Sequence, residues 1–371
     1  MKHQQHPLIS PVPGTQRVID SFHFGTPGCG KKIYIQASLH ADELPGMLVA
    51  WKLKQQLTEL EEQGLIQGEI VLVPVANPIG QNQHLMDVHL GRYETETGQN
   101  FNRGYYDTFE QVAELVENQL SQDPQENQKI IRLALRQAIQ SWHVGTEMHA
   151  MQKTLQLLCC DADVIIDMHC DFEAVQHVYS TYYSWESMIP LACYLDSKAN
   201  MLADETGGNP FDSAFDMVWQ RLHARFGDII PKGCQSVTLE LCGQADVYHG
   251  KSDQDAVALL NYLRHMEVVV DRAADTFSPE SLYVSDLSAV EPLKSPIGGV
   301  LVLCAEPGDT IKADQLIAEV INPITDEVAQ IRATQPGLLF SRSMRRTATA
   351  GMLVAHVAGK VPVRSGYLLA P

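Results

Sequence analysis

The 371-residue sequence has no apolar run approaching the roughly 18 residues that a membrane-spanning helix needs. Its opening residues, Met1-Lys2-His3-Gln4-Gln5-His6-Pro7, lack the charged segment and apolar core of an export signal. A cytoplasmic protein is therefore expected. Positive charge is scarce: 27 lysines and arginines against 45 aspartates and glutamates leave a formal charge of −18. That field repels polyanions, so neither nucleic acid nor an anionic membrane is expected as a partner, although a few arginines can still form a pocket for a small anion. Paired cysteines are missing too, since Cys29, Cys159, Cys160, Cys170, Cys193, Cys234, Cys242 and Cys304 make no C-x-x-C pair. Small reduced hydrophobes are expected, not disulfides or a thiolate metal site. With 45% hydrophobic and 19% charged residues, disorder is excluded as well.

What is present centres on Ser38-Leu39-His40-Ala41-Asp42-Glu43-Leu44. The run before it, Ile33-Tyr34-Ile35-Gln36-Ala37, is β-branched and aromatic enough to predict a strand from Lys32 to Leu39. After it, Pro45 opens a helix that is expected to run to about Glu62 and stop at Gly64. His40 and Glu43 thus stand three positions apart at a strand-to-helix junction, on one side of the first turn. An imidazole nitrogen and a carboxylate oxygen placed so suit zinc. Alone the spacing is weak, and it calls for a third ligand and a base.

Glu69 to Val75 reads as the next strand, and the alternation of strands with helices predicts an α/β domain. Residues 81–107 hold no period and carry Arg92, Asn100, Asn102 and Arg103, a long loop of the kind that is often functional. Helices are expected over 108–120, 124–158 and 253–274, and strands over 163–169, 177–183 and 236–241. His40, His169 and Glu240 then each fall at or near the C-terminal end of a strand, the edge where open α/β sheets bind ligands. The pairs His84/His89, His143/His149 and His3/His6 end no strand and are expected on surfaces, and Gly207-Gly208-Asn209-Pro210 reads as a turn.

At Phe277-Ser278-Pro279 the pattern changes to short β-type runs with Pro-Gly turns. Thr310, Ala313, Leu316, Ala318 and Val320 recur as Thr347, Ala350, Leu353, Ala355 and Val357, and each half opens on a glycine, Gly299 or Gly337. Two related β units predict a small barrel or sandwich similar to biotinyl/lipoyl modules. Those carry a cofactor on a lysine between the halves, but 322–330 contains none. A shielding or assembly role is expected instead. The division is 1–277 for an α/β domain with a mixed open sheet flanked by helices, and 278–371 for an all-β domain.

His40-Ala41-Asp42-Glu43, Asn100-Phe101-Asn102-Arg103, Asp167-Met168-His169 and Thr238-Leu239-Glu240 stand in the order used by the succinylglutamate desuccinylase/aspartoacylase family, within the zinc carboxypeptidase-like superfamily. The chain resembles that family over nearly its whole length. The resemblance implies one zinc per chain on His40, Glu43 and His169 with the fourth position left for water, the catalytic form of a zinc site. It implies Glu240 as general base, Asn102 and Arg103 as holders of a substrate carboxylate, and Arg92 as the oxyanion-stabilising arginine. Asp167 is placed to orient His169. Two departures, Asn100 in place of the usual Asp and the long helical stretch before His169, are expected to touch the substrate side of the site and not the metal side. The activity implied is zinc-dependent removal of an acyl group from an N-acylated amino acid or related small amine, with the oligomeric state left open. The alternatives are a zinc carboxypeptidase acting on peptides and a metal-binding regulatory protein of the same fold.

Overall fold

The computed structural model describes residues 1–204 and 206–369. A nine-stranded sheet organises them, in the order Lys2–Pro7, Val18–Gly25, Glu69–Val73, Lys32–Ala37, Val164–Asp171, Gln235–Gly243, His177–Ser180, Ala199–Leu202, Val284–Asp286. It is mixed: the Lys32–Ala37 strand runs parallel to both its neighbours, whereas His177–Ser180 runs antiparallel to Gln235–Gly243. From Lys32–Ala37 the chain first moves to Glu69–Val73 on one side and later returns to Val164–Asp171 on the other. That reversal opens a crevice beyond the carboxyl ends of the two central strands.

Alternation along Val164–Asp171 sets the two layers. Val164, Ile166 and Met168 pack with residues of helices Pro45–Glu62, Tyr182–Tyr194 and His249–His265. Ile165 faces the opposite core, built with helices Phe109–Val116, Pro124–Ser141, Glu147–Cys159 and Ser213–Phe226. Asp167 and His169, in phase with Ile165, therefore look out on that second side.

Several expected boundaries shift for local reasons. The stretch 124–158 is two helices, broken by Trp142 to Gly145, because the Thr146 hydroxyl caps a new start by accepting from the His149 N–H. The strand over 177–183 ends at Ser180, where Thr181 caps the helix Tyr182–Tyr194 by accepting from the Ser184 N–H. The helix expected over 253–274 spans His249–His265, and Glu267 in the left-handed region (φ 61°) turns the chain away.

Beyond Val284–Asp286, which joins the large sheet, the chain forms two smaller antiparallel sheets. One has Val290–Lys294, Leu353–Ala358, Gly337–Arg342 and Thr310–Ile311, with Glu173–Ala174 from the α/β part added to it. The other has Glu327–Arg332, Leu316–Asn322, Gly299–Leu303 and Thr347–Ala348. The internal repeat appears as Thr310–Ile311 then Leu316–Asn322, matched by Thr347–Ala348 then Leu353–Ala358.

Candidate metal centre

Ser38 leaves the Lys32–Ala37 strand with φ 63°, a left-handed residue that turns the chain toward the helix and puts His40 and Glu43 in the crevice. Two glycines hold this junction close. A Cβ on Gly46 would meet the Met168 and Ala37 side chains at 3.1 and 3.2 Å, so the helix start sits directly on the sheet. A Cβ on Gly91 would fall 2.1 Å from the Asp42 nitrogen, where the Gly91 carbonyl accepts the Ala41 N–H at 2.9 Å. The 81–107 loop is thereby pinned across the His40–Glu43 turn.

His40, Glu43 and His169 are at most 3% exposed, and their ligand atoms lie within 4.8 Å of one another. Their partners settle the proton positions. Asn100 Oδ1 accepts the Asn102 N–H at 2.9 Å, so His40 Nε2, 2.8 Å from the same oxygen, carries a hydrogen. His40 Nδ1 then presents a lone pair, 3.0 Å from Glu43 Oε1. His169 likewise donates from Nε2 to Asp167 Oδ2 at 2.9 Å and faces Glu43 Oε2 with Nδ1 at 2.8 Å. A buried imidazole lone pair opposite a buried carboxylate makes a position for a cation, and these residues fit one.

The electrostatics set the two imidazoles apart. Burial and then Arg92 hold His40 down to about 4, against the pull of Glu43. Burial also opposes charge on His169, but Asp167 and Glu43 outweigh it and raise its pKa well above the ordinary value. Glu43 is lowered despite its burial, because His40 and His169 face it. Arg92 Nη1 reaches Glu43 Oε1 at 3.0 Å and His40 Nδ1 at 3.3 Å, placing a guanidinium at the cluster.

Behind His169 lies a polar chain absent from the sequence reading apart from Asp167. Gln36 Nε2 donates to Asp167 Oδ1 at 3.0 Å, and the Tyr34 hydroxyl donates to Gln36 Oε1 at 2.8 Å, all fully buried. Asn100 corrects an expectation: its side chain bonds His40, so this departure touches the metal side.

Glu240 is paired in register with His169 across the neighbouring strand. Its Oε2 is buried without a hydrogen-bond partner among the described residues. Burial first, then Glu43, drive its pKa well above the usual carboxylate range, with Asp171 adding to the rise and His169 and Arg92 opposing it. Asn102 Oδ1 accepts the Phe211 N–H at 2.8 Å, and Arg103 Nη1 donates to the Asn102 carbonyl at 2.6 Å. The 207–210 turn braces this segment: Gly208 and Asn209 carbonyls accept the Gly104 and Tyr105 N–H groups at 2.8 and 3.1 Å, and a Gly208 Cβ would fall 2.6 Å from Arg103 Cδ. His84 and His89 stack on each other in a two-stranded hairpin, and His89 Nε2 lies 3.0 Å from the Gly80 carbonyl, so neither joins the His-Glu-His group.

Residues 29–162 match the family model of the succinylglutamate desuccinylase/aspartoacylase catalytic domain, a span that includes His40, Glu43, Arg92, Asn102 and Arg103. The resemblance read from the sequence is thereby borne out. No curated protein matches the chain by sequence. Among solved structures, a protein from Shewanella amazonensis described as of that family superposes with a TM-score of 0.84 at 23% identity, covering 96% of this chain and 98% of its own. One from Shewanella frigidimarina, similarly described, gives 0.85 at 22%, covering 96% and 97%. The product-bound ectoine utilization protein from Ruegeria pomeroyi gives 0.67 at 15%, covering 97% and 95%. These likenesses extend the shared fold across both parts of the chain.

Proposed function

We propose that the chain is a zinc-dependent amidohydrolase of the succinylglutamate desuccinylase/aspartoacylase type, which cleaves an N-acylated amino acid or related small amine to a carboxylate and a free amine. One observation carries the reading: a half-buried carboxylate, Glu240, with one buried oxygen left without a hydrogen-bond partner among the described residues and a raised pKa, stands one strand from a buried His-Glu-His cluster. A cluster that only stored metal would have no use for such a group.

Zinc bound by His40, Glu43 and His169 would supply Lewis acidity and bring the pKa of its water to roughly 7. The remaining work falls to the chain. Asn100 and Asp167 hold the two imidazoles in the tautomer that offers Nδ1 to the ion. Glu240 takes the proton of the attacking water and returns it to the leaving nitrogen, and its pKa, raised above the usual carboxylate range by burial and Glu43, favours holding that proton in between. Arg92, already at Glu43, faces the developing oxyanion. Arg103 offers a planar fork for a substrate carboxylate, with Asn102 beside it. Residues 278–371 are assigned the role of a wall that closes the pocket around a small substrate.

Metal analysis together with a panel of N-acyl amino acids and short peptides, assayed with added zinc, tests the proposal. About one zinc per chain and turnover of the N-acyl compounds are expected. Glu240→Gln should keep the metal and lose several orders of magnitude in turnover. Cleavage of peptides alone, or full activity in Glu240→Gln, would refute it.

A further inference from the structure

Sheet register places a second histidine beside the base. Glu240 pairs with His169 on one side and with His177 on the other, so His169, Glu240 and His177 form a row across three strands at about 4.8 Å spacing. Register partners on adjacent strands share a face, which puts His177 on the far side of Glu240 from the metal ligands. His177 Nδ1 lies 2.8 Å from the Val175 carbonyl, which can only accept, so Nδ1 carries the hydrogen and Nε2 carries the lone pair. That Nε2 is buried with no partner among the described residues. Rings of Tyr179 and Phe340, with centroids 5.5 and 4.9 Å away, fix the imidazole. Burial lowers its pKa, against a pull from Asp171, so it stays a neutral acceptor.

A buried acceptor without a donor is costly to leave so, and this one, fixed in the register position next to a candidate base, is placed for a ligand N–H to complete it. Resting on the amidohydrolase reading, we infer that His177 Nε2 accepts the N–H of the scissile amide. When water adds to the acyl carbon, the nitrogen becomes pyramidal and its lone pair must point at the proton held by Glu240. An acceptor on the N–H decides which way that lone pair points. The proton then passes from Glu240 to nitrogen, the C–N bond breaks with its electron pair on nitrogen, and amine and carboxylate separate. His177 is a substrate-binding group that gains and loses no proton, and it selects secondary amides over bonds that lack an N–H.

His177→Phe keeps the ring packing and removes the acceptor, and His177→Gln returns an acceptor oxygen. Kinetics are compared on an N-acyl amino acid and on the O-acyl ester of the matching hydroxy acid. His177→Phe should lose about tenfold in kcat/KM on the amide and little on the ester, with His177→Gln recovering most of the loss and zinc content unchanged. A binding measurement reads the same contact without turnover: in zinc-loaded Glu240→Gln, which keeps the metal and cleaves too slowly to consume the ligand, the His177 Nε2 nitrogen-15 resonance should move when the N-acyl amino acid is added and stay put with the ester. Equal losses on amide and ester, no loss on the amide, or a resonance unmoved by the amide would overturn the inference while leaving the amidohydrolase reading intact. Failure of the unmodified protein to cleave any N-acyl amine would overturn both.

Discussion

His169 shows how far a candidate metal ligand depends on the groups set behind it. Its Nε2–H is held by Asp167, whose other oxygen is held by Gln36, which is held in turn by Tyr34, all with no exposure. Removing the charge from Asp167 weakens the grip on the imidazole and lowers its basicity as a ligand. Asp167→Asn is expected to fold and to bind zinc about 10- to 100-fold more weakly, measured by competition with a chelator. Unchanged affinity would reduce Asp167 to a strand-end carboxylate. The isosteric amide keeps the volume, so a general loss of packing does not explain the effect. Tyr34 and Gln36 went unread in the sequence because they sit inside an apolar run, where a tyrosine and a glutamine look like ordinary strand residues. Asn100 was misplaced because a change from the family pattern says nothing about which ligand the side chain faces.

The elements that carry the site meet at points with no room for adjustment. Gly91→Ala would drive a methyl into the backbone at Ala41 and Asp42, so the 81–107 loop must lift from the His40–Glu43 turn. The expected result is a folded protein with reduced zinc occupancy, read by metal analysis beside circular dichroism; full occupancy would show that the loop yields without disturbing the ligands. Helix contacts add a pH signature. Asp216, on Ser213–Phe226, accepts from Thr181 and Ser184 at the cap of Tyr182–Tyr194, at 2.6 and 2.7 Å. Burial lifts its pKa from 3.8 to about 6, with those hydroxyls opposing and Asp212 adding to the rise. Because the folded pKa is raised, its contribution is fully present below the unfolded pKa and is lost as pH rises through about 6. Relative to Asp216→Asn, the protein should lose up to roughly 3 kcal/mol between about pH 4 and pH 7, measured by urea unfolding of both. A difference independent of pH would contradict this. The site strands were legible because apolar alternation marks a strand and its polar end marks an edge. The helix Tyr182–Tyr194 was not legible, because its first residues are β-formers and Pro190 lies inside it.

Across the whole molecule, the β-rich C-terminal residues are tied to the α/β part at several separate places. Glu173–Ala174 pairs with Ser341–Arg342 as an added strand, and the Val175 N–H donates to the Phe340 carbonyl at 3.0 Å. Glu173 meets Arg342 at 2.7 Å and Arg346 at 2.6 Å across the same seam. Val284–Asp286 extends the large sheet, and the Leu368 N–H returns to the Thr206 carbonyl at 3.2 Å. Phe340, which packs on His177, belongs to a small core shared by both parts: Ala199 and Met201 from one, Val290 and Ala358 from the other. Sequence style marked a change near 277 because turn chemistry and strand length differ there, yet style cannot show that hydrogen bonds and apolar contacts cross it. Neither part can open here without exposing backbone groups and apolar surface of the other, and that couples their unfolding. A single calorimetric transition is therefore expected, with calorimetric and van't Hoff enthalpies equal. Arg342→Ala, which removes the pairs with Glu173 and Glu306, should lower its temperature without splitting it. Two resolved transitions in the unmodified protein would mean that the β-rich part folds by itself, and that the seam where Phe340 packs on His177 can open separately.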